Sequence, residues 1–536
     1  MGETIEHNCG LGAVYLKEGC DDRNLVPQLL YSLGYDQIHR GQLACGMVTY
    51  NPVSKKSGLI LKQRKVIGRP NDLFCSDNPP LRDEIIKEHN GLAGIVHTRY
   101  ATTEVTSDSS VFERSTQPML REHNRRNKEF AYAFNGTLTN YLEIQKELRK
   151  RGEYHFKSET DTEVAVALLS RLINENIDEN LHNPDNPHAE VNLEKVFRRF
   201  CERVDGGYST ITLFSDGNMA VMRGRKGIRP LSWGENDLFY AVASESYPLE
   251  RIGIKEENIK SVPAGNLLLI NQNGGKMIDL LNEKDYSRCF FEWVYFAKVL
   301  STLDGKSVYE VRSKLGENLE VPKQLKKEIK DDKNKFVVVP SPMTAIAAAE
   351  SFANKWDLNY RQAIIKMEGM RGFINSQLVR YEIMGREYGV IRQIVGGKKI
   401  LLVDDSKVRG ETSERTVKML LDSGALEVHE FITSPPIISP CFYGINMATH
   451  AELIARRNFS NDQEILERRV ANETGVKSLT YQSKEGLYDA IGYKENELCT
   501  ACITGKYPTP EGERLAIKDY EKFKKKNEQK NKKKRK

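Results

Sequence analysis

The sequence predicts an α/β domain with a parallel sheet in the second half of a chain long enough for two domains. Three observations carry that prediction. The chain has 536 residues, more than a single hydrophobic core usually organises. The run Ile400-Leu401-Leu402-Val403 shows no polar alternation, as expected of a strand buried on both faces. Two aspartates end it, and a seven-residue turn leads into a helical pattern from Ser413 to Ser423, with Gly424 just beyond as a helix stop. A second apolar run, Phe336-Val337-Val338-Val339-Pro340, passes through Ser341 to Ala345 into an alanine-rich helical stretch. Strand, turn and helix in that order put both turns at the carboxyl edge of a sheet, where open α/β folds bind ligands.

The first of these turns has its own chemistry. Backbone N–H groups of a turn and a helix start converge on a spot suited to phosphate. Gly410 lets the backbone come close, and Ser406, Thr412 and Ser413 can add hydroxyl donors. Asp404 and Asp405 can accept bonds from vicinal sugar hydroxyls or hold a hydrated divalent cation. A sugar phosphate with free hydroxyls and a metal fits the whole stretch; two solvated aspartates on an ordinary strand–turn–helix is the competing reading.

The segment Leu402 to Ser413 resembles the phosphoribosyl diphosphate (PRPP) loop of type I phosphoribosyltransferases, and in its fuller wording that of the glutamine PRPP amidotransferase family. The resemblance implies that Asp404, Asp405, Ser406, Arg409, Gly410, Thr412 and Ser413 bind PRPP, with Lys366 and Thr344 from neighbouring stretches. It also implies a magnesium ion at Asp404, Asp405 and Thr344, and a pyrophosphate at the turn from Ser341 to Ala345. Met343 stands where the family usually has an acid.

Composition bounds the alternatives. With 39% apolar and 29% charged residues the chain is ordinary globular material. No apolar run approaches the ~20 residues of a membrane span, and Met1 to Asn8 is too polar for a signal peptide. Nine sparse, unevenly spaced cysteines point to a reducing, cytoplasmic setting rather than a disulfide framework. The net charge of +6 is misleading, because Lys522 to Lys536 hold ten Lys/Arg against one Glu and leave the rest of the chain at −3. A block of like charge with so few apolar residues is expected to stay disordered, so residues 511–536 read as a solvated basic tail.

The first half carries an ordered set of polar clusters, each flanked by apolar runs and so expected at strand ends. They are Cys9-Gly10-Leu11-Gly12, His39-Arg40-Gly41-Gln42, His97-Thr98-Arg99-Tyr100, Phe134-Asn135-Gly136-Thr137 and Ser158-Glu159-Thr160-Asp161. In order and wording these resemble the class II glutamine amidotransferase domain, an N-terminal nucleophile hydrolase. The resemblance implies an α+β unit, an αββα sandwich over residues 9–265, ahead of a phosphoribosyltransferase domain over 285–510. It implies that residues 1–8 are a propeptide and that Cys9 is the nucleophile, its own α-amine serving as base. That role suits an amine of pKa ~7.7–8.0. By the same matching Asn135 and the Gly136 amide form the oxyanion hole, Arg99 clamps the glutamine α-carboxylate, Asp161 takes the α-ammonium, and Arg40 supports the nucleophile. Val204 to Ser209, Lys226 to Leu231 and Ala243 to Ser246 read as scaffold and domain junction.

Two features remain. Cys499 and Cys502 form a Cys-x-x-Cys pair, and with Cys289 and Cys441 they match the iron–sulfur form of the amidotransferase family. By spacing alone four thiolates suit a [4Fe–4S] cluster or tetrahedral zinc equally, and the resemblance favours iron–sulfur. The stretch 366–390 lies where the family has a mobile loop that closes over PRPP; Lys366, Arg371, Phe373 and Ile374 match it, but much of its wording is absent.

The expected activity is therefore glutamine-dependent transfer of ammonia to PRPP, with purine nucleotide effectors and a homo-oligomeric state implied, no membrane partner, and nucleic acid only through the tail. Two other readings compete. One is a class II glutaminase aminating a different phosphosugar; the other is a non-catalytic nucleotide-sensing or scaffold protein.

Overall fold

Alternating apolar positions in the first half fold into two stacked antiparallel sheets. The computed structural model describes residues 9–52, 59–99, 115–150, 152, 154–158, 160–181, 191–282, 285–366, 388–445, 447 and 449–534. The expected propeptide, 1–8, and most of the expected loop, 367–387, lie outside them. In spatial order one sheet holds Ile259–Ser261, Ser232–Glu235, Phe239–Ala243, Cys9–Leu16, Ala93–Arg99, Ala44–Tyr50 and Leu61–Val66. The other holds Gly274–Asp279, Asn266–Asn271, Met219–Arg223, Gly206–Phe214, Phe130–Leu138 and Met119–Arg121.

The period of two decides which side chain joins which core. Leu11, Ala13 and Tyr15 pack between the sheets with Ala131, Ala133, Ile211 and Leu213. Val14 and Leu16 face the other way, onto Leu29, Leu30 and Leu33 of the helix Leu25–Asp36. Behind the second sheet, Phe130, Tyr132 and Phe134 meet Leu168, Leu169 and Leu172 of Asp161–Leu181 and Phe197 of Leu193–Arg203. Helix, sheet, sheet and helix stack in that order, the αββα arrangement the motifs imply.

The second half contains a parallel sheet in the order Phe336–Pro340, Lys399–Asp404, Glu427–Ile432, Ser478–Tyr481. Both faces are covered, which is why its strands lack polar alternation. Val337, Val339, Ile400 and Leu402 pack with Val417 and Leu420 of Glu411–Asp422 and Val470 of Gln463–Thr474. Val338, Leu401 and Val403 pack on the opposite face with Ala348, Ala349 and Phe352 of Ile346–Trp356. A separate core joins the halves: Ile228 of the first packs among Cys289, Phe290, Trp293, Tyr443 and Cys499 of the second.

Two boundary expectations need correction. The first unit does not end at Gly265, because Asn266–Asn271 pairs with Met219–Arg223 and then with Gly274–Asp279. The Asn- and Gly-rich stretch near Gly274 is a hairpin turn within the sheet, and a turn signal alone cannot separate a hairpin from a linker. The basic tail is not structureless: Pro510–Lys534 is one helix. Its start is anchored, with Ala516 buried and the Asp519 carboxylate bonded to His450 at 2.6 Å. Once a first turn is fixed, lysine-rich sequence propagates a helix at little cost.

Candidate active site

Strand register assembles the first site. Cys9 opens its strand directly opposite Arg99, and Ala44 lies on Arg99's other side. Both Cys9 and Arg99 are buried, at 2% and 4% exposure. Arg99 Nη1 donates to Ser115 Oγ at 2.6 Å. Burial pulls the Arg99 pKa down, against the charges of Cys9 and Asp161, which favour its protonated form. Asp161 begins its helix, where the macrodipole favours an anion, and its Oδ2 accepts the Leu138 amide at 3.1 Å.

Leu138 ends the strand that carries Asn135 and Gly136, so these two lie inside a strand rather than at its end. Asn135 is fully buried. Its Oδ1 accepts from Arg229 Nη2 at 3.4 Å, and its Nδ2 has no acceptor among the described residues. Gly136 has φ +132°, and a Cβ there would collide with the Gly207 carbonyl oxygen, so the position requires glycine. Register and charge thus bring a thiol, a buried guanidinium and a carboxylate together, and a strand of the other sheet carries an unengaged amide donor. They match an amide substrate bearing both α-charges.

Arg40 ends the turn Ile38–Arg40 and is fully buried. Its Nε is paired with Glu245 and its Nη2 with Glu292 at 2.7 Å, while Nη1 has no acceptor among the described residues. Burial opposes its charge, but the two carboxylates hold its pKa above the usual value. Glu245 is driven up by burial and, more strongly in sum, down by Arg40 and His39 to well below the usual carboxylate range. Glu292 lies in the second half, on the π-helical turn Glu292–Phe296, so Arg40 also ties the two halves.

The second site sits where two turns meet at the carboxyl edge of the parallel sheet. Asp404 ends its strand, and its Oδ1 accepts the Asp405 amide at 2.9 Å. Asp405 accepts Ser406 Oγ at 2.6 Å and is also bonded by Thr344 Oγ1 from the neighbouring turn. Burial, Asp405 and Glu430 push the Asp404 pKa up to about 8; burial raises Asp405 as well. Gly410 has φ +94° as the residue before the helix Glu411–Asp422. That helix starts earlier than Ser413, so the turn is tighter than its spacing implied. Thr412 is exposed, and Lys366 is exposed at the end of Ile364–Lys366. Met343 adopts φ +78° and is 70% exposed, an uncommon backbone for a side chain of that shape.

Ser413 is a correction. It is buried, its hydroxyl bonded to Lys407 Nζ and donating to Glu430 Oε1 at 2.8 Å. A hydroxyl has one proton, so it cannot also donate to phosphate. Lys407 and Glu430 themselves form a buried pair at 2.5 Å. Sequence reasoning misses both; the available signal is a glutamate inside the otherwise buried strand Glu427–Ile432. Arg409 Nε is paired with Glu452 at 3.1 Å.

The four selected cysteines line one small cavity together with Ile228, Arg229 and Tyr443. Cys289 and Cys499 are parallel register partners. Burial pushes all four thiols up. Among the described residues no three His, Cys, Asp or Glu side chains form a group that could hold one metal ion. All four candidates are thiol donors, the ligand type an iron–sulfur cluster takes, and they share the lining with apolar Ile228, Ile445 and Ala501 and with Arg229.

Comparison with known proteins gives the family. Residues 105–251 match the family described as glutamine amidotransferase domain. The amidophosphoribosyltransferase of Methanothermobacter thermautotrophicus is 35% identical, over 95% of this chain and 96% of its own. That of Bacillus subtilis is 31% identical, over 94% of this chain and 95% of its own. A solved B. subtilis glutamine PRPP amidotransferase, complexed with ADP and GMP, superposes with a TM-score of 0.75 at 31% identity, covering 94% of this chain and 97% of that one. Alignment over nearly the whole of both chains, with a glutamine amidotransferase unit followed by a phosphoribosyltransferase unit, means that this chain belongs to the amidophosphoribosyltransferase family.

Proposed function

We propose that this chain releases ammonia from glutamine at Cys9 and transfers it to C1 of PRPP beside Asp404, giving 5-phosphoribosylamine, glutamate and pyrophosphate. The observation that carries the reading is the pairing of Cys9 opposite Arg99 in one sheet, with Asp161 close enough for its charge to act on the same guanidinium. An enzyme of this kind commits PRPP to purine synthesis.

In the first half the Cys9 thiolate attacks the glutamine side-chain amide. Arg99 holds the substrate carboxylate and Asp161 its ammonium. The Asn135 Nδ2 and the Gly136 amide take the oxyanion of the tetrahedral intermediate. Collapse expels ammonia, with a proton delivered from the Cys9 α-amine once residues 1–8 are removed. Water then hydrolyses the glutamyl thioester. Sequencing of active protein from a start at Cys9 is the expected result; intact Met1 in fully active protein would exclude the amine as base.

In the second half no nucleophile from the protein is needed. Ammonia attacks C1 as pyrophosphate departs, and positioning with charge stabilisation carries the step. Asp404 and Asp405 accept the ribose hydroxyls, and the amides of the turns ending at Thr344 and Gly410 cradle the phosphates. Asp404, Asp405 and Thr344 would hold a magnesium ion through the oxygen donors it prefers, and the ion would supply positive charge against the departing pyrophosphate. Cys289, Cys441, Cys499 and Cys502 would hold a [4Fe–4S] cluster that ties the C-terminal segment to the core between the halves.

A homo-oligomer regulated by purine nucleotides and working in the cytoplasm completes the proposal. The nucleotide regulation is supported by the ADP and GMP bound in the B. subtilis structure; no helix among the described residues is long and apolar enough to cross a membrane. The decisive assay supplies labelled glutamine and PRPP. Equal glutamate and pyrophosphate, with aminated phosphoribose, is the expected outcome. Glutamate without PRPP consumption would point to another phosphosugar acceptor, and neither product to a binding protein without activity.

A further inference from the structure

The buried amide of Asn135 can rotate, and only one of its two orientations presents a donor to an oxyanion. We infer that Arg229 sets this orientation and is a positioning residue for the glutaminase reaction, itself held by Glu292 of the other half. The inference rests on Asn135 being the oxyanion donor.

Three observations carry it. Arg229 Nη2 faces Asn135 at 3.4 Å. A guanidinium has donors and no acceptor, so the atom facing it must be the amide oxygen, and Nδ2 is turned away. That Nδ2 is buried and without an acceptor among the described residues, which is costly unless a ligand takes the bond. The 3.4 Å separation is long for a hydrogen bond, but the polarity argument needs only that the facing group cannot accept.

Arg229 is fixed from both ends. Its carbonyl oxygen accepts Ser209 Oγ at 3.2 Å and Arg223 Nε at 2.9 Å, and Ser209 is the register partner of Asn135. Its Nη1 is paired with Glu292 Oε1 at 3.2 Å. The other oxygen of Glu292 holds Arg40 at 2.7 Å, and Arg223 is paired with Asp304 at 2.7 Å. Glu292 and Asp304 both belong to the segment that opens the second half. The orientation of the oxyanion donor therefore depends on a carboxylate supplied by the transferase half. Arg229 also lines the cysteine cavity, so the same guanidinium borders both places.

The test compares a neutral replacement that brings an acceptor with a cationic one that brings none. Arg229→Gln offers an amide oxygen to which Asn135 Nδ2 can turn; Arg229→Lys offers donors alone. The expected result is a fall of about 100-fold in glutaminase kcat for Arg229→Gln, the size of losing an oxyanion donor, with KM for glutamine within about twofold. Arg229→Lys should retain at least about ten times the kcat of Arg229→Gln. On an Asn135→Ala background Arg229→Gln should cost less than about threefold more, because the group it orients is gone. Equal losses for Gln and Lys, or an undiminished loss on that background, would overturn the inference. Should Arg229→Gln not fold, Glu292→Gln, which keeps the shape and removes the charge, should lower glutaminase kcat with KM unchanged and lose that effect on the Asn135→Ala background; an effect that persists there would equally overturn it. Full glutaminase activity in Asn135→Ala alone would instead remove Asn135 from the oxyanion hole, a separate failure.

Discussion

The two catalytic centres are built by opposite means. At the glutaminase centre the side chains come from strands in register: Cys9 lies opposite Arg99, and Asn135 is locked inside a fully buried strand. At the PRPP centre the chemistry comes from turns. The Asp404–Asp405 pair bonds to Ser406 and Thr344, and Gly410 takes a positive φ just before the helix. On the proposed roles, the difference follows the substrates. A small zwitterion is gripped by buried charges that only a rigid sandwich can hold in place. A polyanion with many oxygens is met by many amides, which turns at a sheet edge supply.

Removing the thiol gives the sharpest separation of the two. Cys9→Ala should lower glutamine-dependent transfer by about 10⁴-fold or more, as loss of a nucleophile does, while ammonia-dependent transfer to PRPP persists. Loss of both in folded protein would make the centres one functional unit and end the comparison. Next in size, Asp404→Asn should raise KM for PRPP about 10- to 100-fold, the worth of one or two charge-assisted bonds of ~1.5–3 kcal/mol. Unchanged PRPP saturation would remove the twin acids from the site.

A smaller effect separates the turn's working residues from its supports. Ser413→Ala should destabilise the fold by about 1–2 kcal/mol, read by denaturant unfolding, because Glu430 loses a buried donor. KM for PRPP should stay within about twofold; a tenfold rise would return Ser413 to the phosphate site. Smallest of all, truncation after Lys524 should leave both activities within about 1.5-fold, since the anchoring contacts of that helix precede it. A drop in either would give the basic end a catalytic role.

Much of the fold and of both sites is legible in the residues themselves. The unbroken apolar runs at Phe336 and Ile400 identify strands covered on both faces, and the order of polar clusters singles out Cys9, Arg99, Asn135 and Asp161 as candidates. The strand after Gly265 escapes, because an Asn- and Gly-rich turn reads alike in a hairpin and in a linker. Ser413 misleads, because a hydroxyl in a phosphate turn looks free until Glu430, one strand away, claims it. The tail misleads too, because its charge is visible in sequence and its anchor at His450 is not.

Local periodicity and turn chemistry, which act over a few residues, determined from the sequence alone which segments become strands and which turns can meet a phosphate or an amide. Tertiary structure alone decided which buried polar groups face one another: Lys407 with Glu430, Arg40 with Glu245 and Glu292, Arg229 with Asn135. Those choices depend on partners far apart in the chain, and a low-dielectric interior makes each unpaired group too costly to leave to chance.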